Sequence, residues 1–252
     1  MLNFETSGKG REPLVLLHGI MENLSIWEDL EKHLSDKFSL IKIDLPGHGK
    51  SKLFQENSIE FMMEKVKEVL DYMKIKNFHL LGHSMGGYVC LAFAEVYPER
   101  LKSLTLFFSS TLADSEEMKN IRKQSINVID ENFETFVNII PNPFNDNEKD
   151  ILEDKMNLAK EIELATNPET VKSALLAMAE RPDRTGVLEN LDAKILIISG
   201  KYDKAVNTES FLKHVPEKAN IKTYVLDCGH NGHWEKPSIC AEIINTELLH
   251  NI

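Results

Sequence analysis

The stretch NFHLLGHSMGGYVCLAFAEVYPER (77–100) joins two patterns that decide the fold. Its first part is a short, continuous apolar run, which is typical of a strand buried on both faces of a parallel sheet. Its second part is apolar nearly all round and stops near Pro98, as expected for a helix packed inside a molecule. Between the two parts lies Ser84, and the sequence predicts a tight strand-to-helix turn at this serine.

Similar apolar runs, rich in β-branched residues, recur along the chain and end in Gly, Ser or Asp. They are PLVLLHG (13–19), SLIKIDLPG (39–47), SLTLFFSS (103–110), AKILIISG (193–200) and IKTYVLD (221–227). Amphipathic helical patterns alternate with these runs, with Ser58 as the N-cap of one helix. The last helical pattern, SICAEIINTELL (238–249), places Ile239, Ile243 and Ile244 where they are expected to face inward. This alternation predicts a doubly wound α/β sheet flanked by helices.

The alternation stops between about Thr111 and Leu188, where the chain is polar and helical in pattern. One of its helices is predicted to begin at Asn167 as the N-cap, with Pro168 in the first helical position. No strand pattern is evident in this region. The sequence therefore predicts a core domain formed by residues 1–110 and 188–252, with residues 111–187 inserted as an all-helical unit.

The bulk composition excludes several classes of function. The chain has 252 residues, a net charge of −11 and 42% hydrophobic residues. No apolar run approaches the roughly 20 residues that cross a bilayer. The negative charge repels nucleic acid and anionic membranes. We find no secretory signal, and Cys90, Cys228 and Cys240 lack metal-ligand spacing. We therefore expect a cytoplasmic protein that binds no metal, no nucleic acid and no membrane.

The segment GHSMG (82–86) fits the pattern G-x-S-x-G and lies between a predicted buried strand and a predicted buried helix. Glycines let the two elements approach while a strained turn exposes the serine oxygen, and the helix N-terminus directs free amides to the same place. The alternative interpretation is a small-residue turn without chemistry. The strand and helix context favours Ser84 as a nucleophile.

A serine nucleophile needs a histidine base and an orienting carboxylate. The expected chain order of Ser, acid and His leads to DCGHNGHWEKP (227–237), where either His230 or His233 can serve as the base. Asp203, just after the strand run that ends at Gly200, is the first choice for the carboxylate. Asp227 and Asp114 are less favoured, as are the histidines at 18, 48, 79 and 83.

An acyl-transfer site also needs hydrogen-bond donors for the developing oxyanion. LLHGIMENLSIW (16–27) ends a strand in His18-Gly19, where a turn can present the backbone amide of Ile20. The amide of Met85, directly after the predicted nucleophile, supplies the second donor. No metal or organic cofactor is needed for this chemistry.

Taken in order, LLHGIMENLSIW, IDLPGHGKS, LLGHSMGGYV, IISGKYD and CGHNGHWEKP resemble the characteristic loops of the α/β-hydrolase superfamily. The resemblance covers nearly the whole chain. It implies a triad of Ser84, Asp203 and His230, with His230 favoured over His233. It also implies oxyanion amides at Ile20 and Met85, and a helical cap at residues 111–187. The residues of IDLPGHGKS (43–51) are interpreted as loop-shaping, because Asp and Gly suit tight turns.

The substrate is less clearly indicated. Phe107, Phe108, Phe136 and Met178 are candidates for lining an apolar pocket, although each of them also suits the protein's own core. We expect a hydrolase of esters, lactones or thioesters with a small to medium apolar acyl group.

Two alternatives stay open. The first is a carbon–carbon bond hydrolase or a lyase resembling the menaquinone-pathway synthase, for which Arg122, Lys123, Arg181 and Arg184 are available to bind a carboxylate. The second is a ligand receptor that retains a slow triad.

Overall fold

The apolar runs of the sequence form one sheet in the computed structural model, which describes residues 1–249. The described residues contain the strands β1 Phe4–Ser7, β2 Glu12–Leu17, β3 Phe38–Ile43, β4 Phe78–His83, β5 Leu101–Phe107, β6 Lys194–Gly200 and β7 Ile221–Leu226. The order across the sheet is β1-β3-β2-β4-β5-β6-β7. Only β1 runs antiparallel to its neighbour, with Phe4 opposite Ile43, and the other neighbouring pairs are parallel. The predicted α/β sheet is confirmed.

Helices follow most strands. They are α1 Glu28–Leu34, α2 Ile59–Tyr72, α3 Met85–Val96, α4 Glu116–Glu131, α5 Phe133–Ile139, α6 Lys149–Ala165, α7 Pro168–Glu180, α8 Thr185–Asn190, α9 Thr208–Leu212, α10 Gly232–Glu235 and α11 Pro237–Leu249. Short 3₁₀ turns occur at Leu24–Trp27, Pro98–Arg100 and Asp146–Glu148.

Local chemistry sets several helix starts as the sequence predicts. The Ser58 hydroxyl accepts a hydrogen bond from the Phe61 amide at the start of α2. Asn167 caps α7, with Pro168 in the first helical position. These side chains satisfy backbone donors that have no partner within the helix.

The sheet is covered on both faces by apolar packing. On one face, buried side chains of α2 and α3 pack against Leu80 of β4 and Leu104 of β5. On the other face, Trp27 and the buried side chains of α1 and α11 pack against Leu81 of β4 and Leu196 of β6. The expectation for α11 is partly wrong, because Ile239 is 46% exposed while Cys240 and Ala241 are buried. The helix is rotated so that its buried side is formed by Cys240, Ala241, Ile244 and Leu248.

All residues from 108 to 193 lie outside the sheet, and helices α4–α8 form in this region. The predicted inserted unit, residues 111–187, ends inside α8, so the helix Thr185–Asn190 crosses that boundary. The assignment of these helices as a cap stays a prediction. Within residues 1–249, no helix combines the length and apolarity required to cross a membrane.

The strand order determines where a site can form. From β2 the chain passes to β3 on one side of the sheet, and the next strand, β4, lies on the other side of β2. The loops that leave β2 and β4 therefore diverge and open a crevice at the carboxyl ends of the strands. His18-Gly19 follows β2 and Ser84 follows β4, so both lie at this crevice.

Candidate active site

Ser84 occupies a strained backbone position between β4 and α3. Its φ of 50° and ψ of −118° lie outside the regions that non-glycine residues favour. The Ser84 amide donates to the Phe107 carbonyl at 3.1 Å, and the Ser109 hydroxyl donates to the Ser84 carbonyl at 2.8 Å. Backbone strain held by neighbouring hydrogen bonds is typical of a nucleophile presented at a sharp turn.

The glycines of this turn are required by close backbone contacts. A Cβ on Gly82 would lie 2.3 Å from the carbonyl carbon of Gly86, and one on Gly86 would lie 2.4 Å from the carbonyl oxygen of Leu17. Either contact is far shorter than van der Waals distance. Strand β4, helix α3 and strand β2 can therefore approach this closely only with glycine at both positions.

The structure brings His230 and Asp203 together from the loops after β7 and β6. His230 Nδ1 lies 2.7 Å from Asp203 Oδ2, and the Asp203 side chain is fully buried. The other Asp203 oxygen accepts from the amides of Ala205 and Val206, both at 2.8 Å. Because the carboxylate accepts at Nδ1, the proton sits there and Nε2 is left as the basic nitrogen.

The ionisation of this pair follows from its surroundings. Burial disfavours the charged form of His230, but the attraction and hydrogen bond of Asp203 outweigh burial and raise the pKa of His230. Burial likewise opposes ionisation of Asp203, and the attraction and hydrogen bond of His230 lower its pKa. Each partner thus stabilises the charged form of the other.

His233, the other histidine of this loop, has a different environment. Its side chain is fully buried, and neither ring nitrogen has a hydrogen-bond partner among residues 1–249. Burial, reinforced by the charge of His83, lowers the pKa of His233 well below its ordinary value. Its ring packs against Trp27 and Trp234. His230, by contrast, faces the cavity that Ser84 also lines.

The other candidate histidines and acids lie away from this cavity or have other partners. His18 Nε2 accepts from the Leu45 amide at 2.9 Å. Asp114 binds Arg122 and Arg181, and Asp227 pairs with Lys201 on the surface. The His48 side chain is buried, and burial lowers its pKa to about 3.

The cavity above Ser84 has a volume of about 260 Å³. Its floor is formed by core residues, including Ile20, Glu22, Ser84 and His230. Its roof is formed by residues of α4–α7, most of them apolar: Met118, Ile121, Phe136, Ala159, Ile162, Leu175 and Met178. The cavity is thus largely apolar, with its polar groups in a few places.

Two of the four residues that we expected to line a pocket do so, and two do not. Phe136 and Met178 lie in the roof. Phe107 and Phe108 are fully buried below the floor, where both rings pack against His83. The Phe108 ring also occupies the space that a side chain on Gly232 would need. The expectation for this pair is wrong because the end of β5 points under the histidine loop rather than into the cavity.

Two cations line the cavity, and both have carboxylate partners. The Arg122 guanidinium binds Asp114 through Nε and through Nη2, the latter at 3.3 Å. Lys204 donates to Asp146 at 2.6 Å. Asp114 also binds Arg181, whose guanidinium lies 3.9 Å from the centre of the Tyr88 ring.

Two glutamates that the sequence did not single out also line the cavity. Burial opposes the ionisation of Glu22, but attraction to His83 and a hydrogen bond with it lower the Glu22 pKa to about 2. For Glu163 in the roof, burial and the negative charge of Glu22 raise the pKa to about 7. Nothing in the sequence distinguishes these glutamates from surface charges.

Glu235 is a third residue that the sequence did not reveal. It is buried, and its carboxylate accepts from the amides of Gly229, Asn231 and Asn145 at 2.8–3.0 Å. The His230 amide donates to the Pro143 carbonyl at 2.7 Å. The loop that follows α5 is thereby joined to the histidine loop.

The expected loop-shaping role of IDLPGHGKS is consistent with the contacts of Asp44. Its carboxylate accepts from the amides of Leu24 and Lys50 at 2.8 and 2.9 Å. The roles of Ile20 and Met85 as oxyanion donors stay predictions, with Ile20 on the cavity floor and Met85 in the first position of α3. Among the described residues, no group of three or more His, Cys, Asp or Glu is arranged to hold a metal ion.

A family model described as alpha/beta hydrolase fold matches residues 12–144, just over half of the chain. A thermophilic esterase from Thermogutta terrifontis is similar in structure, with a TM-score of 0.91 and 28% sequence identity. That similarity covers 98% of this chain and 92% of the esterase.

Two curated relatives show how far the sequence similarity extends. A 2-hydroxy-6-oxononadienedioate/2-hydroxy-6-oxononatrienedioate hydrolase from Paraburkholderia phymatum is 29% identical, over 98% of this chain and 89% of that protein. The dihydrolipoyllysine-residue acetyltransferase component of an acetoin cleaving system from Pseudomonas putida is 41% identical over 113 residues. The matched part is 44% of this chain and 30% of that protein, so the chain spans less than a third of this relative.

Proposed function

The chain belongs to the α/β-hydrolase family, and on that premise we propose that it is a serine hydrolase acting on esters, lactones or thioesters of small to medium apolar acyl compounds. The observation that carries the proposal is the composition of one cavity. Ser84 and His230 lie in its floor, Asp203 is hydrogen-bonded to His230, and the roof above them is mostly apolar.

The proposed reaction is a two-step acyl transfer. His230 Nε2 takes the Ser84 hydroxyl proton as the oxygen attacks the substrate carbonyl, and Asp203 stabilises the resulting imidazolium. The backbone amides of Ile20 and Met85 bind the oxyanion. The imidazolium then gives its proton to the leaving group. Water repeats the sequence on the acyl-enzyme, which frees the acid and restores Ser84.

The charges around the cavity support a neutral substrate. Arg122 and Lys204 already have carboxylate partners, and the cavity also holds the ionised Glu22. A substrate with two carboxylates would have to displace Asp114 or Asp146 and would be repelled by Glu22. An uncharged ester has neither cost.

Carbon–carbon bond hydrolysis is the second candidate, and the similarity to the Paraburkholderia phymatum dioate hydrolase favours it. The same triad can serve that reaction. The charges of the cavity place it second, and turnover of simple esters compared with vinylogous diketones separates the two activities.

Labelling with a fluorophosphonate probe tests the nucleophile directly. We expect the protein to be labelled at Ser84 and to hydrolyse p-nitrophenyl butyrate, and we expect Ser84→Ala to lose both properties while its melting temperature is kept. Ser125→Ala, which removes a hydroxyl from the roof of the same cavity, is expected to retain the label. Hydrolysis that persists in Ser84→Ala would overturn the proposal.

A further inference from the structure

A partly buried glutamate and a buried histidine connect three segments of the site. Glu22 Oε2 accepts from the Gly19 amide at 2.5 Å and lies 2.8 Å from His83 Nδ1. His83 Nε2 lies 3.0 Å from the carbonyl oxygen of His230. The His83 side chain is 1% exposed. One imidazole thus joins the turn that carries Ile20 to the loop that carries His230.

These hydrogen bonds determine where the protons are. The carbonyl of His230 can only accept, so His83 Nε2 carries a proton. Glu22 Oε2 already accepts from the Gly19 amide, and a carboxylate with a pKa near 2 is ionised at neutral pH. The Glu22 carboxylate thus holds both the Gly19 amide and the His83 ring. The strand that leads to Ser84 ends in the histidine that this carboxylate holds.

The surroundings of the pair are otherwise low in charge. The rings of Trp27, Phe107, Phe108, His230 and His233 lie around His83, with the two histidine ring centres each 4.8 Å away. The titratable groups that interact with Glu22 are His83, His230, His233, His18, His48 and Glu163. Those that act on His230 are Asp203, Glu22, Glu235 and, through ring contact, His83 and His233.

Glu22 thus has two separable effects on the site. Its hydrogen bond to the Gly19 amide fixes the turn next to Ile20, and its negative charge favours the protonated form of His230. That protonated form is the one that acyl transfer requires when the proton leaves Ser84.

We propose that Glu22 and His83 are positioning residues for the acyl transfer, holding the oxyanion turn against the histidine loop and adding a second carboxylate that supports charge on His230. The inference rests on the proposed function. Asp203 remains the direct partner of His230, while Glu22 acts across His83 without touching the reacting atoms.

Glu22→Gln separates the charge from the hydrogen bonds. The glutamine oxygen can accept from the Gly19 amide, and its amide can donate to His83 Nδ1 while His83 Nε2 keeps its proton. Glu12→Gln is a matched control at the start of β2, the strand that leads to Gly19. There, Glu12 lies 3.7 Å from Nε2 of His79 on β4, far from the cavity.

The first measurement is an NMR titration of the histidine rings, which does not depend on activity. The titration of His230 should move to lower pH by about half a pH unit in Glu22→Gln and stay in place in Glu12→Gln. An unmoved His230 titration in Glu22→Gln would overturn the inference.

The second measurement is the pH profile of kcat/KM on p-nitrophenyl butyrate. Glu22→Gln should shift the acid limb in the same direction as the His230 titration and lower kcat by about tenfold with little change in KM. If the acid limb of kcat/KM falls at the same pH in Glu22→Gln and in Glu12→Gln, the inference is contradicted. If the unmodified protein neither turns over esters nor reacts with fluorophosphonate, the proposed function fails, and the NMR titration still decides whether Glu22 is coupled to His230.

Discussion

The floor and the roof of the cavity each contribute a glutamate, and the two are shifted in opposite directions. Hydrogen bonds from His83 and from the Gly19 amide compensate the burial of Glu22, whose pKa falls to about 2. Burial and the charge of Glu22 act on Glu163, the charge of Lys160 offsets them only in part, and the pKa of Glu163 rises to about 7. The floor thus compensates the charge of its glutamate, whereas the roof disfavours charge at Glu163.

This contrast predicts that the floor and the roof have different roles in catalysis. Substitutions in the floor should change the rate of the chemical step, and substitutions in the roof should change substrate binding. In kinetic terms, the first class lowers kcat and the second raises KM.

The largest effect is expected from Asp203→Asn, which changes the hydrogen-bond partner of the floor residue His230. An asparagine can donate to His230 Nδ1 and so favours the tautomer that places the proton on Nε2, where it cannot accept the Ser84 proton. We expect kcat for p-nitrophenyl butyrate to fall by about 10⁴-fold, with KM changed by less than about threefold. Steady-state kinetics measures both values, and a kcat within tenfold of the unmodified enzyme would remove Asp203 from the triad.

A smaller effect is expected in the roof from Met178→Ala. The substitution removes apolar contact with the substrate and should raise KM by about tenfold, while kcat changes by less than about twofold. Leu176→Ala on the same helix is the control, since Leu176 is 43% exposed and lies outside the cavity. A fall in kcat without a rise in KM would contradict the division between floor and roof.

The smallest effect concerns the pH dependence of stability. Because the pKa of Glu163 is raised to about 7 from its ordinary value of 4.5, protonation stabilises the folded state. This contribution is fully present below about pH 4.5 and is lost as the pH rises through about 7. Glu163→Gln keeps a neutral side chain at every pH, so above pH 7 it should melt about 2 °C higher than the unmodified protein.

The comparison of interest is the difference between the two melting curves across the pH range, since other groups titrate in both proteins. Glu161→Gln, an exposed glutamate on the same helix, should show no such pH-dependent difference. If Glu161→Gln and Glu163→Gln behave alike, the roof does not exclude charge at Glu163.

The sequence predicts the sheet and the residues at its strand ends well, because these depend on local patterns. Buried strands need continuous apolar runs, and chain order leads to Asp203 and to the loop that carries His230 and His233. The family resemblance favours His230 of the two, and its Nδ1 lies 2.7 Å from Asp203 Oδ2. Tertiary packing decides the positions that were wrong. Ile239 and the pair Phe107–Phe108 have the expected apolar character, but helix rotation and the histidine loop determine which way they face.

The buried carboxylates could not be found in this way. Glu22, Glu163 and Glu235 stand in polar segments that look like ordinary surface sequence. Their importance arises from partners distant in the chain: His83 for Glu22, and the Asn145 amide for Glu235. Local sequence patterns do not indicate contacts between residues so far apart in the chain.

The glycines around Ser84 limit how the sequence of this turn can change. Backbone atoms exclude a side chain at Gly82 and Gly86, and the excluding atoms belong to α3 and to β2 rather than to any substrate. A descendant that lost the reactive hydroxyl would face the same collisions and would keep both glycines. Across related chains, the glycine spacing therefore reports the geometry of this turn, and the residue at position 84 reports whether the nucleophile is present.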